Sequence, residues 1–99
     1  MTLNEALNVL EAEKPLDKII LKAIEELGEL SVALAQYLNK PGKCDGADVI
    51  EEIVDVEMNL TLLKRFFPIQ EWDRNAKFLK FIDSKDFKKY YEQSKLRQR

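Results

Sequence analysis

Three observations predict an all-α fold for this chain. Apolar residues recur with a period near 3.6 over long stretches, no stretch alternates with the period of two that a half-buried strand requires, and the prolines, Pro15, Pro41 and Pro68, fall between the periodic stretches. The sequence of 99 residues, 45% of them apolar, is the size of one domain with a small core. A bundle of four to five helices spanning residues 1–99 is expected, and association into an oligomer would cover any helix face that the small core leaves open.

The elements follow in order. Thr2-Leu3-Asn4-Glu5 is a capping-box pattern, and Leu3, Leu7 and Leu10 follow at helical spacing, which predicts a first helix from about Leu3 to Glu13. Pro15 ends that helix or begins the next. Leu16, Ile19, Ile20, Ala23, Ile24, Leu27, Leu30, Leu34 and Leu38 define a second helix reaching about Asn39. A polar segment with Pro41, Gly42 and Gly46 then reads as a loop. Val49, Ile50, Ile53, Val56, Leu60, Leu63 and Phe67 define a third helix from about Ala47 to Phe67, stopped by Pro68. Ile69, Trp72, Ala76, Leu79 and Ile82 fit a shorter fourth helix. The charged segment from Ser84 to Arg99, with Phe87, Tyr90 and Tyr91 as its large side chains, reads as a last helix or a tail.

Charge and composition narrow the chemistry. Residues 1–60 hold 5 Lys/Arg against 13 Asp/Glu, whereas residues 61–99 hold 11 against 5, so an acidic body precedes a basic segment. That asymmetry fits an anionic ligand held through metal ions, or a basic tail that contacts nucleic acid. The absence of histidine excludes Ser-His-Asp and Cys-His catalysis, histidine-containing zinc sites and the Glu-x-x-His ligands of di-iron bundles. Cys44 has no intramolecular disulfide partner, and neither a signal peptide nor a long apolar run is present, so a cytoplasmic setting away from membranes is the expectation.

The carboxylates occupy informative positions. On a helix turning ~100° per residue, Glu26 falls roughly 80° from the centre of the apolar stripe of the second helix, which runs through Leu16, Leu27 and Leu34. Glu29 neighbours it, and Glu25 projects further outward. On the third helix Asp48, Glu52, Asp55 and Asn59 share one stripe, and Leu62, Leu63 and Phe66 continue that sector. A sector that is apolar at one end is expected to be buried, and clustered buried carboxylates cost several kcal/mol per ion unless cations pair with them. Lys22 is the one amine near that stripe. Mg²⁺, or Mn²⁺, suits the remaining deficit, because both are hard cations bound by carboxylate and water oxygens. The simpler alternative is that glutamate-rich helices present ordinary solvated faces.

The pattern Glu25-Glu26-x-x-Glu29, then Glu52-x-x-Asp55 after a gap of 22 residues, resembles the EExxE…ExxD signature of the MazG-like all-α nucleoside triphosphate pyrophosphohydrolases. The string Ile24-Glu25-Glu26-Leu27-Gly28-Glu29-Leu30 strengthens the likeness, which covers about residues 16–67. The resemblance implies a helical bundle completed by a second chain, as a homodimer or homotetramer. It implies that Glu26, Glu29, Glu52 and Asp55 are metal ligands, with Glu25 as a catalytic carboxylate that orients a water or completes the metal shell. The reaction implied is Mg²⁺-dependent hydrolysis of a nucleoside triphosphate, most simply a dNTP, to the monophosphate and pyrophosphate.

Asn59 faces the ligand side and is a candidate contact to sugar or base, or a polar residue satisfied inside the bundle. Lys77 is a candidate phosphate contact, although the family spacing from such a lysine to a following Asn is not reproduced. Trp72, Phe66 and Tyr37 fit core better than a base-stacking pocket. Gly28 costs ~1 kcal/mol in a helix, so its missing side chain either admits a neighbour or ligand or is simply tolerated. The competing reading is a non-catalytic helical module whose Lys88, Lys89, Lys95, Arg97 and Arg99 bind nucleic acid. It is the weaker one, because these cations are interleaved with acids.

Overall fold

The structure, a computed structural model, describes residues 1–40 and 42–98. They form α1 (Leu3–Glu13), α2 (Leu16–Asn39), α3 (Gly46–Leu63), α4 (Glu71–Ile82) and α5 (Lys85–Arg97), with no extended strand among them. No helix among the described residues is long and apolar enough to cross a membrane. The chain divides into two compact units, Met1–Pro68 and Ile69–Arg99.

Local chemistry sets the helix ends. The Glu5 N–H donates to Thr2 Oγ1 at 3.1 Å, which starts α1 where the capping pattern places it. Pro15 is the residue immediately before α2, where its fixed φ suits helix entry and its missing N–H leaves nothing unsatisfied. At α3 a reciprocal box forms: the Asp48 N–H donates to Asp45 Oδ1 and the Asp45 N–H to Asp48 Oδ2, both at 3.0 Å. Asp48 is thereby a capping residue as well as a member of the acidic stripe.

The third helix ends four residues before the predicted Phe67. Pro68 disfavours helical geometry in the residue before it, and the chain leaves α3 through a tight turn instead. The Arg65 N–H donates to the Leu62 carbonyl at 3.1 Å and the Phe66 N–H to the Leu63 carbonyl at 2.9 Å.

In the first unit α2 and α3 run antiparallel, as three levels of contact demonstrate. Ile19 packs with Leu62, Glu26 meets Glu52 and Asp55, and Ala33 lines one cleft with Cys44 and Asp48. α1 closes the Ile19 end by burying Leu7 between Ile19 and Leu62, with Leu63 and Phe66 packed around them. Arg65 ties α3 to α1, donating to Asn4 at 2.6 Å, to Asn8, and to Glu11 at 3.0 Å. The burial of Leu62 and partial burial of Leu63 and Phe66 agree with the expectation for the sector that carries the acids.

The buried line of α2 is Ile19, Ala23, Glu26 and Ala33, and the two alanines let α3 approach closely. The stripe centre expected from the sequence lies about 80° away and stays open: Leu16, Leu27, Leu34 and Leu38 are between 39% and 77% exposed. On α3, Ile50, Ile53 and Leu60 are open in the same rotational sense from its buried line. Because the helices are antiparallel, both sets fall on one side of the pair, opposite the acids. The apolar stripe read from sequence is therefore wider than the contact inside one chain.

In the second unit the segment left open by the sequence is helical. The Phe87 N–H donates to Ser84 Oγ at 3.1 Å to begin α5, and the Gln70 N–H donates to Asp73 Oδ2 at 2.9 Å at the start of α4. Phe81 and Phe87 lie 5.3 Å apart between ring centroids, and Phe87 stacks on Tyr91 at 5.8 Å, which joins the two helices. Tyr90 is exposed, with the Lys89 ammonium 5.6 Å from its ring centroid.

Candidate functional site

Two carboxylate triads share one member. Glu25, Glu26 and Glu29 each offer an oxygen within 4.8 Å of the others, and so do Glu26, Glu52 and Asp55. The i, i+3 spacings on α2 and α3 bring each pair to one face, and the antiparallel packing sets the two faces together. Glu26 is buried at the junction, Glu52 and Asp55 are half-buried, and Glu25 and Glu29 are exposed. The five acids of the Glu25-Glu26-x-x-Glu29 and Glu52-x-x-Asp55 patterns thus lie together, and Asp48 caps α3 at the edge of the same cleft.

Their charges are only partly compensated. Lys22 Nζ lies 3.0 Å from Glu26 Oε1 and 3.5 Å from Glu25 Oε2. Glu26 Oε2 and Glu52 Oε2 are buried without a hydrogen-bond partner among the described residues, an arrangement that costs free energy in a closed protein. Repulsion shows in the titration of the neighbours. The charge of Glu26, and then burial, push Glu29 above the ordinary carboxylate value of 4.5. Burial, and then the charges of Asp55 and Glu26, do the same to Glu52. Lys22 is raised by its hydrogen bond to Glu26 and the charge of Glu25.

These shifts set a direction for stability against pH. A carboxylate whose folded pKa exceeds its unfolded one binds more protons in the native state, so its contribution is present below 4.5 and is lost as pH rises through the folded value. Melts in a chelator-containing buffer are expected to show a falling melting temperature from pH 4.5 towards neutrality. A melting temperature that instead climbs over that window would show that these two carboxylates are stabilised as anions.

A cleft of about 660 Å³ opens from the acids along the second half of α2. Glu25, Glu29, Asp48 and Glu52 form its acidic end, Val32, Ala33 and Cys44 supply apolar wall, and Gln36 and Lys43 stand among the other lining residues. Cys44 is buried, and its thiol is pushed upward by burial and then by Asp48, which makes it a wall rather than a nucleophile. Gln36 was missed although it continues the Glu25, Glu29 and Val32 face of α2 at helical spacing, whereas Lys43 and Cys44 join that face only through the tertiary fold.

Gly28 lines the cleft, and a Cβ added there meets nothing within 4 Å. No close helix contact requires this glycine, which leaves its open front towards the cleft. Gly28→Ala is expected to stabilise the ligand-free protein by about 1 kcal/mol through helix propensity, measurable by urea denaturation.

Asn59 is half-buried, and its Nδ2 donates to the backbone carbonyl of Asp55 one turn earlier at 2.8 Å, a polar side chain satisfied within its own helix. Lys77 lies exposed on α4 in the second unit. Phe66 belongs to the core of the first unit, whereas Tyr37 and Trp72 are exposed, contrary to the expectation of core packing.

Comparison of the chain with known protein families, with curated proteins and with solved structures gives no match.

Proposed function

We propose that the chain is a divalent-cation-dependent nucleoside triphosphate pyrophosphohydrolase that uses Glu26, Glu29, Glu52 and Asp55 as cation ligands. The observation that carries the reading is the buried, shared carboxylate of Glu26, whose Oε2 has no partner among the described residues. The donor set fits a hard ion, being all carboxylate oxygen. Oxygens around Mg²⁺ lie ~3–4 Å apart, since each sits ~2.1 Å from the ion, so the triads need only a small inward rotation of side chains.

Bound there, Mg²⁺ (or Mn²⁺) supplies charge for phosphate oxygens and acidifies an attacking water. The protein's own groups do the remainder. Glu25, exposed at the edge of the triad, orients that water and accepts its proton. The cleft beyond Glu29 has room for a sugar and base, with Gln36 available to their polar edges, and Asn59, one turn past Asp55 on α3, is the further candidate contact.

The assembly proposed is a homodimer or homotetramer sealed by the open face of α2 and α3. Leu16, Ile24, Leu27, Leu34, Leu38, Ile50, Ile53 and Leu60 are 37% to 77% exposed. Together they present on the order of 700 Å² of apolar surface, above the ~300–600 Å² of the largest patch on an ordinary monomer and near the ~800 Å² one partner buries in a standard interface. The nucleic-acid reading gains less from the second unit. Arg74, Lys88 and Lys95 there pair with Glu71, Asp83 and Glu92, as expected of a solvated surface.

The experiment is a panel of canonical and modified dNTPs and NTPs incubated with protein and Mg²⁺, read as pyrophosphate release. Activity on at least one member that chelation abolishes supports the reading. Salt-sensitive DNA or RNA binding without hydrolysis across the panel supports the non-catalytic alternative.

A further inference from the structure

Among the described residues, the cation nearest the acidic junction is held only by the acids it neutralises. Lys22 Nζ bonds to Glu26 at 3.0 Å and to Glu25 at 3.5 Å, and its side chain is 44% exposed, with free solvent on its outer side. Arg65, by contrast, is fixed by Asn4, Asn8 and Glu11 of α1, and Lys43 stands at the cleft.

Lys22 also lies one helical turn before Glu26, whereas the cleft is lined on α2 from Glu25 onward to Gln36. The acidic junction thus lies between the space for an organic group and the Lys22 ammonium. A divalent cation seated on the Glu26 carboxylate repels an ammonium at 3.0 Å, and the flexible four-carbon stem lets that ammonium turn outward.

We propose that Lys22 is an exchangeable counter-ion: it neutralises Glu26 when no metal is bound, and on metal binding it swings to the phosphate chain of the substrate. The proposal rests on the pyrophosphohydrolase reading and adds to it a residue that both competes with the metal and positions the anion. Lys22 is a positioning residue in this scheme, with no part in bond breaking.

The test compares wild type, Lys22→Met and Lys22→Arg, each verified as folded by its circular-dichroism melt. Mn²⁺ binding is followed by electron paramagnetic resonance. Binding of the four α,β-methylene dNTP analogues at saturating Mg²⁺ is followed by calorimetry. Loss of one charge-assisted contact from each state predicts that Lys22→Met binds Mn²⁺ about tenfold tighter and its best analogue about tenfold more weakly, with Lys22→Arg close to wild type in both. A Lys22→Met protein unchanged in either measurement, beside a wild type that binds Mn²⁺ and analogue, overturns the role of Lys22 alone. A wild type that takes up neither Mn²⁺ nor any analogue overturns the cation site and this proposal together.

Discussion

Replacing Glu52 with Gln is expected to raise the melting temperature of the metal-free protein at neutral pH while reducing pyrophosphate release by at least ~100-fold, a larger loss than the 10–100-fold typical when only an outer-shell partner of a ligand is removed. The two effects share one cause. Glu52 carries a buried oxygen without a partner among the described residues and is crowded by Asp55, Glu26, Glu51 and Asp48, so the folded chain gains when that charge is removed at constant shape. The same charge is what a divalent ion needs, and glutamine offers it only a neutral carbonyl. Thermal melts in chelator with and without added Mg²⁺ read the first effect, and a pyrophosphate assay reads the second. A Glu52→Gln protein that melts lower than wild type in chelator would mean that the acidic junction stabilises the fold without a cation.

Charging the open apolar face gives the second large effect. Leu27→Glu and Ile53→Lys each place a charge at the centre of the proposed interface, and a buried unpaired charge there costs ~4 kcal/mol, or about a thousandfold in dissociation constant. Sedimentation velocity is expected to give an assembly of two or four chains for wild type and a single chain for either variant. The acids lie on the other side of α2 and α3, so Mn²⁺ binding by the monomeric variants reports whether the site needs the assembly to form. A wild type that sediments as one chain at every concentration would remove the oligomer.

The sequence made the helices legible because each carries its own periodicity and its own punctuation. Thr2, Pro15 and Pro68 mark boundaries that the structure places next to a helix end or a closing turn. The overrun at Phe67 arose because the spacing of Leu63 and Phe67 also fits a tight turn, which keeps the apolar rhythm while abandoning the helix.

The acids were legible for a different reason. Their i, i+3 and i+4 spacing on two helices fixes the face of each, and one short loop after Asn39 fixes the antiparallel register that brings those faces together.

What the helical projection left out was the contact axis. It centred the stripe of α2 on Leu16, Leu27 and Leu34 because large side chains dominate the average, whereas α3 packs where Ala23 and Ala33 leave room. Glu26 therefore sits near the middle of the contact rather than at its edge. Half of the cleft wall was open to the same reasoning, since Val32 and Gln36 continue the Glu25 and Glu29 face at i, i+4, i+7 and i+11, whereas Lys43 and Cys44 share no spacing with it and meet it only in three dimensions.

The central proposal, that these acids support cleavage between the α and β phosphates, is tested most directly by following a dNTP substrate by ³¹P nuclear magnetic resonance with Mg²⁺ present. Resonances of the nucleoside monophosphate and pyrophosphate are expected to grow together and to vanish on chelation or with Glu26→Gln. Growth of the nucleoside diphosphate with orthophosphate, or an unchanged triphosphate across the whole substrate panel, would contradict it.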